Sequence, residues 1–170
     1  VLVNESIDCD FHRGGTICGA TNSVQAERVT SEIFKFHQFG FTDDDIRQLS
    51  QSEVERRINV SNIQLASYTP HCAVTHPAKL VNGLARVVEQ LGVKIYENSS
   101  VTQYQSGSIQ TNHATCRAQM IIRATEGFTP SIKTHRRTLA PLYSYMIATS
   151  PLTERQLQIL GWKNRETYHD

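Results

Sequence analysis

Three small residues, Ala124, Thr125 and Gly127, follow almost directly on an apolar run, Met120-Ile121-Ile122. The run predicts a short buried strand. Small residues and a glycine after such a strand let a ligand or another backbone come close. That chemistry is contact with a bound group rather than attack on a substrate. No nucleophile–base constellation can be read elsewhere, so catalytic residues stay unassigned. Cys9, Cys18, Cys72 and Cys116 are scattered without a C-x-x-C pair, which argues against a structural zinc site and predicts no metal. With no secretory signal to be read, free thiols in a reducing compartment are expected, hence a cytoplasmic location. The sequons at Asn4, Asn59 and Asn98 are read as coincidence on the same ground.

The elements that must position this turn can be read from periodicity. Ser6 to Thr21 carries strand-like stretches on both sides of Gly14-Gly15, which predicts a hairpin with Cys9 and Cys18 on opposite arms as buried thiols. Residues 22–39 are helical, with Ala26, Val29, Ile33 and Phe36 three or four apart, Asn22 or Ser23 as cap and Gly40 as stop. The capping boxes Thr42-x-x-Asp45 and Ser50-x-x-Glu53 predict two short surface helices. A helix from Pro77 to Leu91 follows, buried on a broad face by Leu80, Val81, Leu84, Ala85, Val87, Val88 and Leu91, and stopped by Gly92. Beyond it, period-two runs broken at Asn98-Ser99 and Ser106-Gly107 predict a strand near Lys94–Tyr96, a small meander and the apolar strand. Leu142 to Leu152 is a further strand candidate. The class is α+β or α/β.

Composition sets the outer limits. The chain has 170 residues, 39% apolar and 19% charged, as globular domains do. A net charge of +1, from 17 basic and 16 acidic side chains, carries no electrostatic signature of nucleic-acid binding. The one dense basic patch, Lys133-Thr134-His135-Arg136-Arg137, reads as a solvated loop. No apolar run approaches the ~18 residues of a membrane span.

The order helix, Gly92-Val93-x-Ile95, meander, apolar strand, Ala124-Thr125-x-Gly127 is more specific than its parts. It resembles the D-amino-acid-oxidase-like family of FAD-dependent oxidoreductases, and within it the amine-oxidising branch typified by gamma-glutamylputrescine oxidase. The stretches that carry the resemblance are "IDCDFHRGGTICGAT", "THPAKLVNGLARVVEQLGVKIYENSSVT", "CRAQMIIRATEGFTPSI", "LYSYMIATSPL" and "GWKNRETYHD". The resemblance implies part of a two-domain enzyme: residues 1–75 from a mixed-sheet substrate domain, 76–135 from the FAD domain, and 136–170 back in the substrate domain. It implies FAD as cofactor in the intact parent, with Ala124, Thr125 and Gly127 packed near it and Val101 where a strand's backbone faces the adenine. His76, in a His-Pro-x-x-Leu pattern, is either a helix-terminal residue or one close to flavin or substrate. The implied substrate is a small amine or amino acid, oxidised by hydride transfer to the flavin.

The G-x-G-x-x-G turn that cradles a dinucleotide's pyrophosphate is not found in these residues, nor is the family's C-terminal part. The expectation is therefore a central fragment that is inactive and retains no FAD alone. Its open apolar strands and helix face predict self-association. A stand-alone α+β binding or interaction domain without catalysis is the alternative from a different class.

Overall fold

The computed structural model describes residues 1–170, the side chain of Lys133 excepted. The strands are β1 (Thr16–Ala20), β2 (Arg47–Ser50), β3 (Leu65–Thr69), β4 (Val101–Gln105), β5 (Ser108–Thr111), β6 (Thr115–Arg117) and β7 (Thr167–His169). The α-helices are α1 (Ser23–Gln38), α2 (Gln51–Glu55), α3 (Pro77–Gln90) and α4 (Glu154–Leu160). The chain forms two compact units, residues 1–91 with 149–170, and residues 92–148.

The first unit is built on a mixed sheet of order β2-β3-β1-β7. β1 runs antiparallel to β3, with Ile17 opposite Tyr68, and parallel to β7, with Ile17 opposite Tyr168. Side chains alternate across a strand, so β1 and β3 feed two cores. Ile17 and Ala66 pack with Leu49, Val54, Ile58 and Ile63. Ala20 packs with Val29 and Ile33 of α1, beside Cys18 and Leu65. The cap of α1 is Asn22, whose side chain accepts from Gln25 N at 3.0 Å. Gly40, at φ +91°, follows the helix end in the left-handed region.

Two expectations for this unit are corrected. Gly14-Gly15 is no hairpin turn: only the second arm is a strand, and the first contributes an isolated bridge between His12 and Val74. The glycines serve distant neighbours instead. A Cβ at Gly14 would collide with the backbone of Asn164 and Arg165, and one at Gly15 with Thr69 and Tyr68. Cys9 and Cys18 therefore do not lie on opposite arms of a hairpin; Cys9 is buried and Cys18 only partly so.

The second correction concerns residues 42–58. The Thr42/Asp45 box forms, with Thr42 N donating to Asp45 Oδ2 at 2.9 Å, but it closes a single turn that leads into β2. The Ser50/Glu53 box does cap a helix, α2. The segment is not superficial, because Leu49 and Val54 are fully buried and Ile58 nearly so. Few apolar residues suffice when Leu49, Val54 and Ile58 share one core and Ile46 packs against the other.

α3 has its proline in the first turn and Gly92 just past its end, as predicted. Its broad apolar face is not buried. Gly83 alone is buried, against Ile7, while Val81, Leu84 and Leu91 are exposed.

In the second unit, β4, β5 and β6 form the predicted antiparallel meander, turning at Gly107 with φ +77°. The predicted strands at Lys94–Tyr96, Met120–Ile122 and Leu142–Leu152 do not form. Met120 is 78% and Ile122 83% exposed, and Leu142 is wholly exposed. An apolar strand needs neighbouring strands for its backbone hydrogen bonds, and none lies alongside among the described residues. No helix among them is long and apolar enough to cross a membrane.

Candidate functional site

The turn that follows the apolar run is tightly made. Thr125 precedes a 3-10 helix, Glu126–Ser131, and Phe128 N donates back to Thr125 O at 2.8 Å. The hydroxyls of Thr125 and Thr129 are 2.8 Å apart, and Thr129 and Ile132 are buried beneath. Glu126 takes φ +41°, a left-handed conformation that side chains seldom adopt. Ala124 and Gly127 are exposed, and a Cβ built on Gly127 would have nothing within 4 Å. Within this unit the backbone of 124–127 is thus an open face on a firm base. No described atom blocks the approach of a bound group to the backbone at Gly127.

Val101 opens β4 opposite Thr111 and is partly exposed. Tyr104, on the same strand, hydrogen-bonds Arg123 beside Ala124 at 3.3 Å. His76, in the first unit, is the N-cap of α3. Its Nδ1 accepts from Lys79 N at 3.4 Å, and its own backbone N–H donates to Cys9 O at 2.7 Å. This is a capping role, visible in the His-Pro pair.

Two polar groupings escaped the sequence reading because their members lie far apart along the chain. Glu166 is 1% exposed; its Oε1 accepts from Arg57 at 3.2 Å, while Oε2 has no partner among the described residues. The Arg57 guanidinium also lies 4.3 Å over the ring of Tyr68. The second grouping joins Tyr104 to His135, whose rings stack nearly parallel. No spacing rule connects positions 57 and 166.

Several titratable groups are tuned locally. Bonds from the Ser50 backbone N–H and hydroxyl, with Arg47 beside them, hold Glu53 down at about 2. Lys79 lowers the Asp10 carboxyl and is itself raised by it, across 2.8 Å. Burial pushes the Cys18 thiol up, whereas the hydroxyls of Thr16 and Thr167 draw Cys72 down. All four cysteines are free.

A family model described as "FAD dependent oxidoreductase" matches residues 1–170. Among solved structures, an L-proline dehydrogenase from P. horikoshii superposes with a TM-score of 0.67 at 15% identity, over 79% of this chain and 37% of that one. A glycine oxidase from Bacillus cereus ATCC 14579 gives 0.64 at 17% identity, over 78% and 38%. A glycine oxidase from Geobacillus kaustophilus gives 0.66 at 18%, over 79% and 37%. The match thus spans under two fifths of each of those chains. At such identities the likeness is one of fold, the mixed α/β fold of this enzyme class. No curated protein matches the chain.

Proposed function

The chain belongs to the FAD-dependent oxidoreductase family, and from that premise we propose that it forms the middle of an enzyme that oxidises a small amine or amino acid. Residues 76–135 contribute to the FAD domain in this reading, and 1–75 and 136–170 to the substrate domain. The observation that supports the cofactor assignment is the open backbone at Ala124, Thr125 and Gly127, where a Cβ built on Gly127 meets nothing within 4 Å among the described residues. Those residues and the backbone of Val101 would hold FAD, and His76 remains a candidate for proximity to flavin or substrate. FAD supplies the acceptor for a hydride from the carbon next to the nitrogen. The residues of this chain contribute close backbone contact and a fixed turn.

Within the family we assign the parent to the amine-oxidising branch, on the His76-Pro77-x-x-Leu80 pattern. The names of the superposed structures, an L-proline dehydrogenase and two glycine oxidases, support an amino acid as the competing substrate class. A reducing, cytoplasmic setting is part of the same proposal, on the scattered cysteines of the sequence. Alone, the 170-residue chain is inactive, retains little FAD and self-associates, since α3 and the 120–122 run leave apolar surface uncovered.

Anaerobic mixing of the parent holoenzyme with glycine, L-proline and a gamma-glutamyl polyamine tests the reading. Bleaching of the flavin by the polyamine first and fastest is expected. Bleaching by an amino acid alone would move the parent to the other branch, and bleaching by none would sink the proposal.

A further inference from the structure

The candidate cofactor turn is tied at both ends to one phenol. Arg123, the residue before Ala124, donates from Nη1 to Tyr104 Oη at 3.3 Å. His135, which closes a second short 3-10 helix (Lys133–His135), places Nε2 at 2.6 Å from the same hydroxyl. The two rings are 8° from parallel with centroids 5.2 Å apart. On the other edge, His135 Nδ1 stands 3.2 Å from Thr138 Oγ1, and that hydroxyl donates to the His135 carbonyl at 3.0 Å.

An assignment in which Tyr104 donates uses all of these contacts. The guanidinium donates to Tyr104, whose hydroxyl donates to His135 Nε2. The imidazole is then the neutral tautomer with its proton on Nδ1, donating to Thr138, and Thr138 donates to the carbonyl. Each acceptor receives a proton and no two donors meet.

We propose that Tyr104 is the positioning residue of the cofactor-facing turn. Its hydroxyl clasps the chain just before Ala124 and again at His135, so the loop between them is closed at its base by a side chain from β4. The inference rests on the reading that Ala124, Thr125 and Gly127 face FAD. A loop fixed at both ends has already lost the freedom that a bound group would otherwise have to remove. The buried Thr129 and Ile132 complete the fixation from within. Tyr104 thus acts on the cofactor through the turn and not by contact.

The test is amide hydrogen exchange together with ring-nitrogen chemical shifts of His135, on the full chain. Tyr104→Phe keeps the stacked ring and removes only the hydroxyl. Exchange at the Phe128 and Ile132 amides, both bonded inside the turn, should rise about five- to tenfold, as loss of ordinary hydrogen bonds predicts. The Nε2 shift should lose the signature of a hydrogen-bonded acceptor, while the β4–β6 ladder amides stay protected. His135→Gln, which offers an acceptor oxygen to Tyr104, should keep most of the protection that His135→Leu loses. Unchanged exchange and ring shifts in Tyr104→Phe would overturn the proposal, as would an equal loss across the whole meander. Should exchange respond to Tyr104→Phe while the parent's flavin content ignores Gly127→Val, the cofactor reading fails and the clasp stands; the two failures are therefore distinguishable.

Discussion

In the sheet of the first unit a strand with one apolar residue buries it, while in the segment 92–148 a run of three is left largely exposed. Leu49 lies in a short strand among polar neighbours and is fully buried, whereas Met120, Ile121 and Ile122 form an unbroken apolar run of which two members are largely exposed. The difference is supply of partners. β2, β3, β1 and β7 come from four separate stretches and complete one another's backbone hydrogen bonds. The 120–122 run has no strand beside it among the described residues. Apolarity makes burial favourable, but neighbouring backbone makes a strand possible.

The sharpest way to break this comparison is a pair of truncations. Leu49→Ala should cost about 3 kcal/mol, the usual range for emptying a packed core site. Ile122→Ala should change unfolding in denaturant by no more than about 0.5 kcal/mol, as exposed sites do. A large effect at Ile122 would mean that the second unit buries its apolar run after all.

Next in size is the buried carboxylate. Arg57→Met leaves Glu166 without its cation and should cost about 2 kcal/mol in denaturant unfolding; that is less than a fully buried pair would lose, because the Arg57 side chain is itself 29% exposed. The double change Arg57→Met with Glu166→Leu should recover most of the loss. Failure to recover would show that the ring of Tyr68 holds Arg57 for a reason of its own.

Association sharpens the same contrast. Ile122→Lys should weaken self-association of the isolated chain by about tenfold, a loss of about 1.4 kcal/mol, read by sedimentation at low micromolar concentration. A stable wild-type monomer would show that segment 92–148 satisfies itself.

Smallest is an acid effect within the first unit. Glu53 is held near 2 from an ordinary value of 4.5, so its capping box contributes above pH 4.5 and fades as pH falls toward 2. Glu53→Gln should therefore flatten the acid side of the stability profile. An unchanged slope would mean that the Ser50 box does not persist in solution.

How much of this was legible in the residues differed by element. Helices α1 and α3 were readable because caps, stripe and stop all lie within one local segment. The meander was readable because Ser106-Gly107 joins adjacent runs. The sheet was not, since Gly14 and Gly15 answer to Asn164, Tyr68 and Thr69, and β7 meets β1 from the far end of the chain. At the candidate site, the small residues of the turn could be named from the sequence. The phenol that clasps it could not, because Tyr104 lies 19 positions from Arg123 and 31 from His135.

In the proposed parent enzyme the backbone at 124–127 would face FAD. Gly127 is a clean probe of it. A Cβ there meets nothing within 4 Å among the described residues, so Gly127→Val should leave the turn itself in place. The decisive measurement is flavin content per protein of the purified parent carrying Gly127→Val, with helicity followed by circular dichroism. Flavin content should fall severalfold while helicity is unchanged, because the branched side chain would occupy the space left for the cofactor. Full flavin occupancy in that variant would contradict the account and make the turn a structural feature alone.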